Sequence, residues 1–183
     1  MKRILLVLAI SIVILFSLSA LDLNINLGLL SGAGVSHDVG RWQFGADLET
    51  TFPVYAVVEG IMENKYEDVP FSQGFMTGLT YFFGADLYTY FKLFEDEGYR
   101  MYAGLDLMMG TETMIKSFQA VLRPTVKFHY DIGQRCGLFL AAGFSLLDMM
   151  YVPGFEKPLV RVPEANVASI LTGCRVGLSI ALD

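Results

Sequence analysis

The residues that could do chemistry are few and fall into three groups. Ser36-His37-Asp38 is the only stretch that sets a nucleophile, a base and a carboxylate side by side, the types a lipid-modifying hydrolase would use. Adjacent residues in a turn seldom reach the mutual hydrogen-bond geometry that such catalysis needs. The stretch therefore reads as a turn with ordinary Asx chemistry, and no catalytic residue is assigned. His129 and Asp131 share one face near the end of a strand, as two metal ligands would, but one His and one carboxylate fall short of a metal site. A structural pair is expected there, with no metal and no other cofactor. The third group is Asp47, Glu49, Asp86, Asp106, Arg123, Lys127 and Arg175, charged residues that fall on the polar side of alternating segments. Such a set can line a narrow polar path, or pair internally and plug an interior. Buried charges must be paired, which favours the plug. No CxxC, phosphate loop or dinucleotide fingerprint accompanies them.

These charges need a scaffold that alternates, and the chain supplies one. Leu21, Leu23, Ile25, Leu27 and Leu29 oppose Asp22, Asn24, Asn26 and Gly28, and the pattern runs on through Ala33 and Val35 to a turn at His37–Gly40. Period-two alternation of this kind marks a strand with two unlike faces. Trp42, Phe44, Ala46 and Leu48 alternate with Gln43, Gly45, Asp47 and Glu49 in a second strand, and a weaker third covers 54–62. A long fourth strand spans 71–93, with Asp86 opposite its apolar face. Segments 101–110, 120–131 and 138–147 follow, and the last strand sets Val176, Leu178, Ile180 and Leu182 against Arg175, Gly177, Ser179 and Ala181. Pro124 cannot donate to a ladder and marks a bulge in the sixth strand.

The N-terminus reads as a secretory signal peptide over residues 1–20: Lys2 and Arg3, an uncharged run from Ile4 to Phe16, then Ser17, Ser19 and Ala20. Cleavage after Ser19 or Ala20 leaves one domain, 21–183. Of 13 basic residues two are then lost, against 19 acidic ones, so the mature chain carries −8. That charge argues against nucleic acid as a partner. The whole chain is 54% hydrophobic with mean hydropathy +0.48, yet the mature part has no apolar run of the ~18 residues a spanning helix needs. Cys136 and Cys174 fall at different strand heights and are expected as free thiols.

Eight alternating strands suffice to close an antiparallel up-and-down barrel whose interior is just filled by side chains. The register follows from cost: a basic residue facing lipid at mid-membrane costs ~2–4 kcal/mol, so Arg123 and Lys127 point inward if the outside is lipid. A soluble lipocalin-like, ligand-binding barrel would use the same alternation inverted. The membrane reading is preferred because the polar faces are Gly-rich and lightly charged, and because Trp42, Tyr130 and Tyr151 fall near strand ends, as an interfacial belt requires. With the first strand rising from the periplasm, tight inner turns are expected at 50–53, 95–98 and 132–135, and outer loops at 37–41, 63–70, 111–117 and 148–165.

In pattern and length the mature chain resembles the small eight-stranded outer-membrane proteins, a class that includes the OmpA membrane domain, OmpX, OmpW and opacity-type proteins. Members of that class often end in an aromatic residue that assists assembly, whereas this chain ends Ala181-Leu182-Asp183. The resemblance implies an exported, non-enzymatic outer-membrane protein with a structural or surface-contact role. Its partners are then outer-membrane lipid and, through the outer loops, an extracellular protein or a small hydrophobic solute. The alternative within the same fold is a small channel or transporter for hydrophobic or small solutes. Surface contact is assigned to Tyr151, Phe155, Lys157 and Arg161 in the Pro-rich loop. Met108, Met109, Met114, Met149 and Met150 gather at strand ends and outer loops, as residues meeting a lipid boundary or an adaptable contact surface do.

Overall fold

The computed structural model describes residues 21–28, 30–51, 82–112, 117–154, 158–161, 170 and 173–182 of the chain. Segments that alternate in sequence form strands: β1 (Leu21–Gly28), β2 (Ser31–Val39), β3 (Trp42–Thr50), β4 (Phe83–Asp96), β5 (Tyr99–Glu112), β6 (Ser117–Asp131), β7 (Cys136–Gly143), β8 (Leu147–Tyr151), β9 (Leu159–Arg161) and β10 (Arg175–Ala181). All pairings are antiparallel. Strands β1 to β7 and β10 form a closed eight-stranded barrel, with β10 between β1 and β7 and with β5 paired to β6. Strand β8 continues the β7 edge along β6, and β9 adds to β8.

The strand count agrees with expectation, but the set of strands does not. The expected first strand is a hairpin that reverses between Gly28 and Ser31, where the Ser31 hydroxyl accepts from the Gly28 amide at 3.2 Å and donates to its carbonyl at 3.0 Å. Partners such as Ile25 and Ala33, or Asn26 and Gly32, share parity, so the alternation passes through the turn undisturbed. The expected third strand, 54–62, lies outside the described residues, as do 71–81 of the fourth. Since β3 pairs directly with β4, the wall holds no strand between them.

Splitting the first strand moves two connections. Strand β2 runs on to Val39, and the reversal is the two-residue turn Gly40-Arg41, with Gly40 at φ 61° in the left-handed region that glycine tolerates. That turn, expected among the outer loops, lies instead at the end that carries Leu21, Ala181 and the connections 97–98 and 132–135. The 50–53 segment, expected as an inner turn, opens the connection 51–82 at the opposite end, with 113–116 and 144–174. One end of the barrel therefore has only short turns and the other has both long connections.

Pro124 sits where the ladder changes. Below it Thr125 pairs with Gly143, above it Leu122 pairs with Leu147, and the β7 side spends one extra residue crossing the interval. The bulge expected at Pro124 is thus on the facing edge, where Phe144 N–H donates to the Pro124 carbonyl at 3.3 Å.

Faces separate cleanly. Leu48, Leu140 and Val176 are 58%, 53% and 50% exposed on the outside, while Glu49 and Asp86 on the inside are 0% exposed. The interior is polar and the exterior apolar.

Candidate functional site

The interior is built in layers, each set by inward positions at one height of several strands. In the middle layer Arg175 of β10 is the hub. Its Nη1 donates to Glu49 Oε1 at 2.9 Å and to Asp86 Oδ2 at 2.5 Å, and its Nη2 donates to Asp106 Oδ2 at 2.5 Å and to the Tyr90 hydroxyl at 3.3 Å. Arg123 Nη2 adds a bond to Asp86 Oδ2 at 3.3 Å and stands 3.9 Å from Glu49 Oε2. Thr125 donates to Asp106 at 2.9 Å. One guanidinium thus gathers three carboxylates from three strands, with the fork geometry that makes arginine the fit cation for such a cluster.

All seven charged residues of the sequence-derived set are buried and point inward. Two of them do not join the ion-paired group. Asp47 accepts from Asn26 Nδ2 at 2.9 Å and from the Tyr88 hydroxyl at 3.4 Å. Lys127 Nζ donates to Gln43 Oε1 at 2.9 Å and lies 4.6 Å from the Phe139 ring centroid. Its charge is therefore held by an amide dipole and ring faces. Alternation puts Gln43, Tyr88, Tyr90, Tyr102 and Phe139 on the inner face, but which of them stand at the height of Lys127 is set by register between strands, which the sequence does not carry. Their bulk is admitted by small residues opposite: a Cβ at Gly45 would fall 2.1 Å from the Tyr88 ring.

Between the two layers the structure leaves a cavity of about 10 Å³, bounded by Asp47, Tyr88, Tyr90, Lys127, Phe139 and Arg175. That is room for about one water. Above the charge layer, toward the long connections, Leu30, Phe82, Met108 and Val121 form a buried apolar cluster. Met108 opposes Asp86 on β4 and Val121 on β6, so it lies inside the barrel rather than at a lipid boundary. Met149 is outside, at 40% exposure, and Met114 lies outside the described residues.

At the short-turn end a polar vestibule of about 450 Å³ opens, with Asp22, Glu95, Arg100, Asp131 and Ser179 in its walls. Arg100 is bonded to Asp131, and His129 Nε2 lies 3.1 Å from Asp131 Oδ1, 3.2 Å from Arg100 Nη2 and 3.3 Å from Ser179 Oγ. Serine, histidine and aspartate meet here, but all on one ring nitrogen, whereas a catalytic relay needs the carboxylate on the other. A guanidinium against that nitrogen also opposes a metal. Among the described residues no three His, Cys, Asp or Glu side chains group as a metal site requires.

Ser36, His37 and Asp38 belong to β2 and not to a turn. Ser36 accepts from Asn24 Nδ2 at 2.9 Å, and Asp38 accepts from Gln43 at 2.7 Å and from Tyr102 at 3.0 Å. Ser36 and Asp38 carry separate parts of the interior network. Of the surface-contact set, Tyr151 is 48% exposed at the end of β8 and Arg161 closes β9; Phe155 and Lys157 lie outside the described residues. Both cysteines are free, Cys136 at the short-turn end and Cys174 next to the start of β10 at the other.

Comparison of the chain with protein-family models, with curated proteins and with solved structures returns no significant match.

Proposed function

We propose that this chain is an exported, non-enzymatic outer-membrane barrel whose wall spans the bilayer, whose interior is a sealed structural plug, and whose long connections face outward to make surface contacts. The observation that carries this reading is the inverted distribution of polarity: a buried, charged interior within a wall of exposed Leu, Val, Ile and Phe. A wall of that kind in water would expose a far larger apolar patch than soluble monomers carry.

The height of the apolar wall supports the same reading. On β6, Phe118 and Tyr130 both face outward and are twelve residues apart. That spacing is roughly 40 Å along a strand, or about 30 Å along the axis of a barrel with strands tilted ~40°. The apolar band of outer-membrane barrels is about 25 Å tall between aromatic girdles. Around the short-turn end, Trp42 packs edge-on to Phe91 at 5.1 Å and Tyr99 lies against Tyr130 at 4.6 Å. Short turns at one end and long connections at the other match the periplasmic and outer ends of such barrels. Residues 1–20 then serve as the export signal.

Among the described residues the interior is filled and leaves no apolar room, which speaks against the channel reading and against a soluble ligand carrier. Expression of the full chain in a bacterium with an outer membrane tests the proposal. Retention in the membrane after alkaline washing, faster gel migration when unheated, and no steady conductance in planar bilayers are expected. Release by alkaline washing overturns the membrane reading, and steady conductance overturns the sealed plug.

A further inference from the structure

The rim at the short-turn end has a step. The β2–β3 turn stops at Gly40-Arg41, whereas the β4–β5 hairpin continues past it, and the Lys92 amide donates to the Arg41 carbonyl at 2.7 Å where the two part. A bulge between Lys92 and Phe94 inserts Leu93 as an extra residue, so that Leu93 and Phe94, though adjacent, are both exposed, at 48% and 54%. The step encloses a groove of about 240 Å³ walled by Gly40, Arg41, Lys92, Leu93, Phe94 and Glu95.

Its chemistry has two signs. The Arg41 guanidinium lies 4.9 Å from the Phe91 ring centroid and has no carboxylate within 4 Å among the described residues. Lys92 Nζ is 3.1 Å from Glu95 Oε2 and 3.9 Å from Asp38 Oδ2, so its charge is already met, and the Glu95 side chain is 61% exposed. A cation free to take a phosphate thus stands across a small groove from an exposed carboxylate. Phe94 also belongs to a second groove, apolar and about 550 Å³, which runs along the outer wall past Met101, Phe128, Leu138 and Leu140. A charged groove that passes at Phe94 into an apolar one has the two chemistries of a single phospholipid.

We propose that this step is a binding site for one zwitterionic phospholipid of the phosphoethanolamine class. Arg41 holds the phosphate; Glu95, through the oxygen that Lys92 does not engage, accepts from the primary ammonium; an acyl chain follows the wall from Phe94 toward Leu140. The inference rests on the membrane reading above. An anionic headgroup meets Glu95 as a like charge, so the site discriminates phosphatidylethanolamine from phosphatidylglycerol by about three-fold, the factor an exposed ion pair delivers.

The test begins with flotation of the full chain on vesicles of equal parts phosphatidylethanolamine and phosphatidylglycerol, followed by native mass spectrometry of protein extracted from them in mild detergent. Wild type is expected to retain phosphatidylethanolamine over phosphatidylglycerol by about three-fold. Arg41→Gln is expected to lose retention of both lipids, and Glu95→Gln to shift the preference toward phosphatidylglycerol. Heat-dependent gel migration checks that each variant is folded. Failure to float overturns the membrane reading and this site with it. Flotation with a lipid ratio that neither substitution changes overturns the site alone.

Discussion

Arg175 and Arg100 meet carboxylates inside this barrel under opposite conditions. Arg175 is 4% exposed and serves three carboxylates beneath the apolar cluster of Leu30, Phe82, Met108 and Val121. Arg100 pairs with Asp131, stands 3.9 Å from Asp38, and opens on the vestibule, with its side chain 19% and that of Asp131 38% exposed. The contact chemistry is the same. What differs is the cost of losing it, because a carboxylate left behind in the middle layer has no water to turn to, whereas Asp131 does.

The largest effect is expected from Arg175→Met, which leaves Glu49, Asp86 and Asp106 without their shared partner. Urea unfolding of the protein in vesicles should show a loss of about 3–5 kcal/mol. Adding Glu49→Gln and Asp106→Asn should restore most of it, since the penalty is an uncompensated charge rather than a lost contact. An unchanged midpoint for the single variant would mean the middle layer is hydrated.

Gly45→Ala comes next. Its Cβ would meet the Tyr88 ring, whose hydroxyl is a partner of Asn24 at 3.0 Å and Asp47 at 3.4 Å, so overpacking disturbs the aromatic layer as a whole. A loss of about 1–3 kcal/mol is expected, together with a change in near-UV circular dichroism from the tyrosines. The smallest effect belongs to Arg100→Gln at the vestibule, about 1 kcal/mol or less and reduced further by salt. An Arg100→Gln cost equal to that of Arg175→Met would erase the contrast between the two regions.

Much of this arrangement was legible in the sequence because it is carried by period two. Arg123 and Lys127 fix the inward face of β6, and every charge on the matching parity of β3, β4, β5 and β10 follows. What alternation cannot carry is where a strand reverses: the reversal between β1 and β2 joins residues of like parity and leaves no trace in the pattern. Nor can it carry depth. Met108 reads as one more methionine near a loop, yet it is buried with Leu30, Phe82 and Val121 in the seal above the charges. The role of Gln43 as the acceptor for Lys127, 84 positions away, depends on register across several strands, which single-chain periodicity does not encode.

Whether the outer face of the wall meets lipid or water decides what this barrel is. With Cys136 and Cys174 replaced by Ser, nitroxide labels at Leu122, Val126, Phe128 and Gln134 can be read in phospholipid vesicles for collision with oxygen and with a charged nickel chelate. Labels at Leu122, Val126 and Phe128 should be reached by oxygen and shielded from nickel, with oxygen access greatest near Val126, while Gln134 in the short turn should be open to nickel. Nickel access at Val126 equal to that at Gln134 would place the wall in water and rule out a membrane barrel.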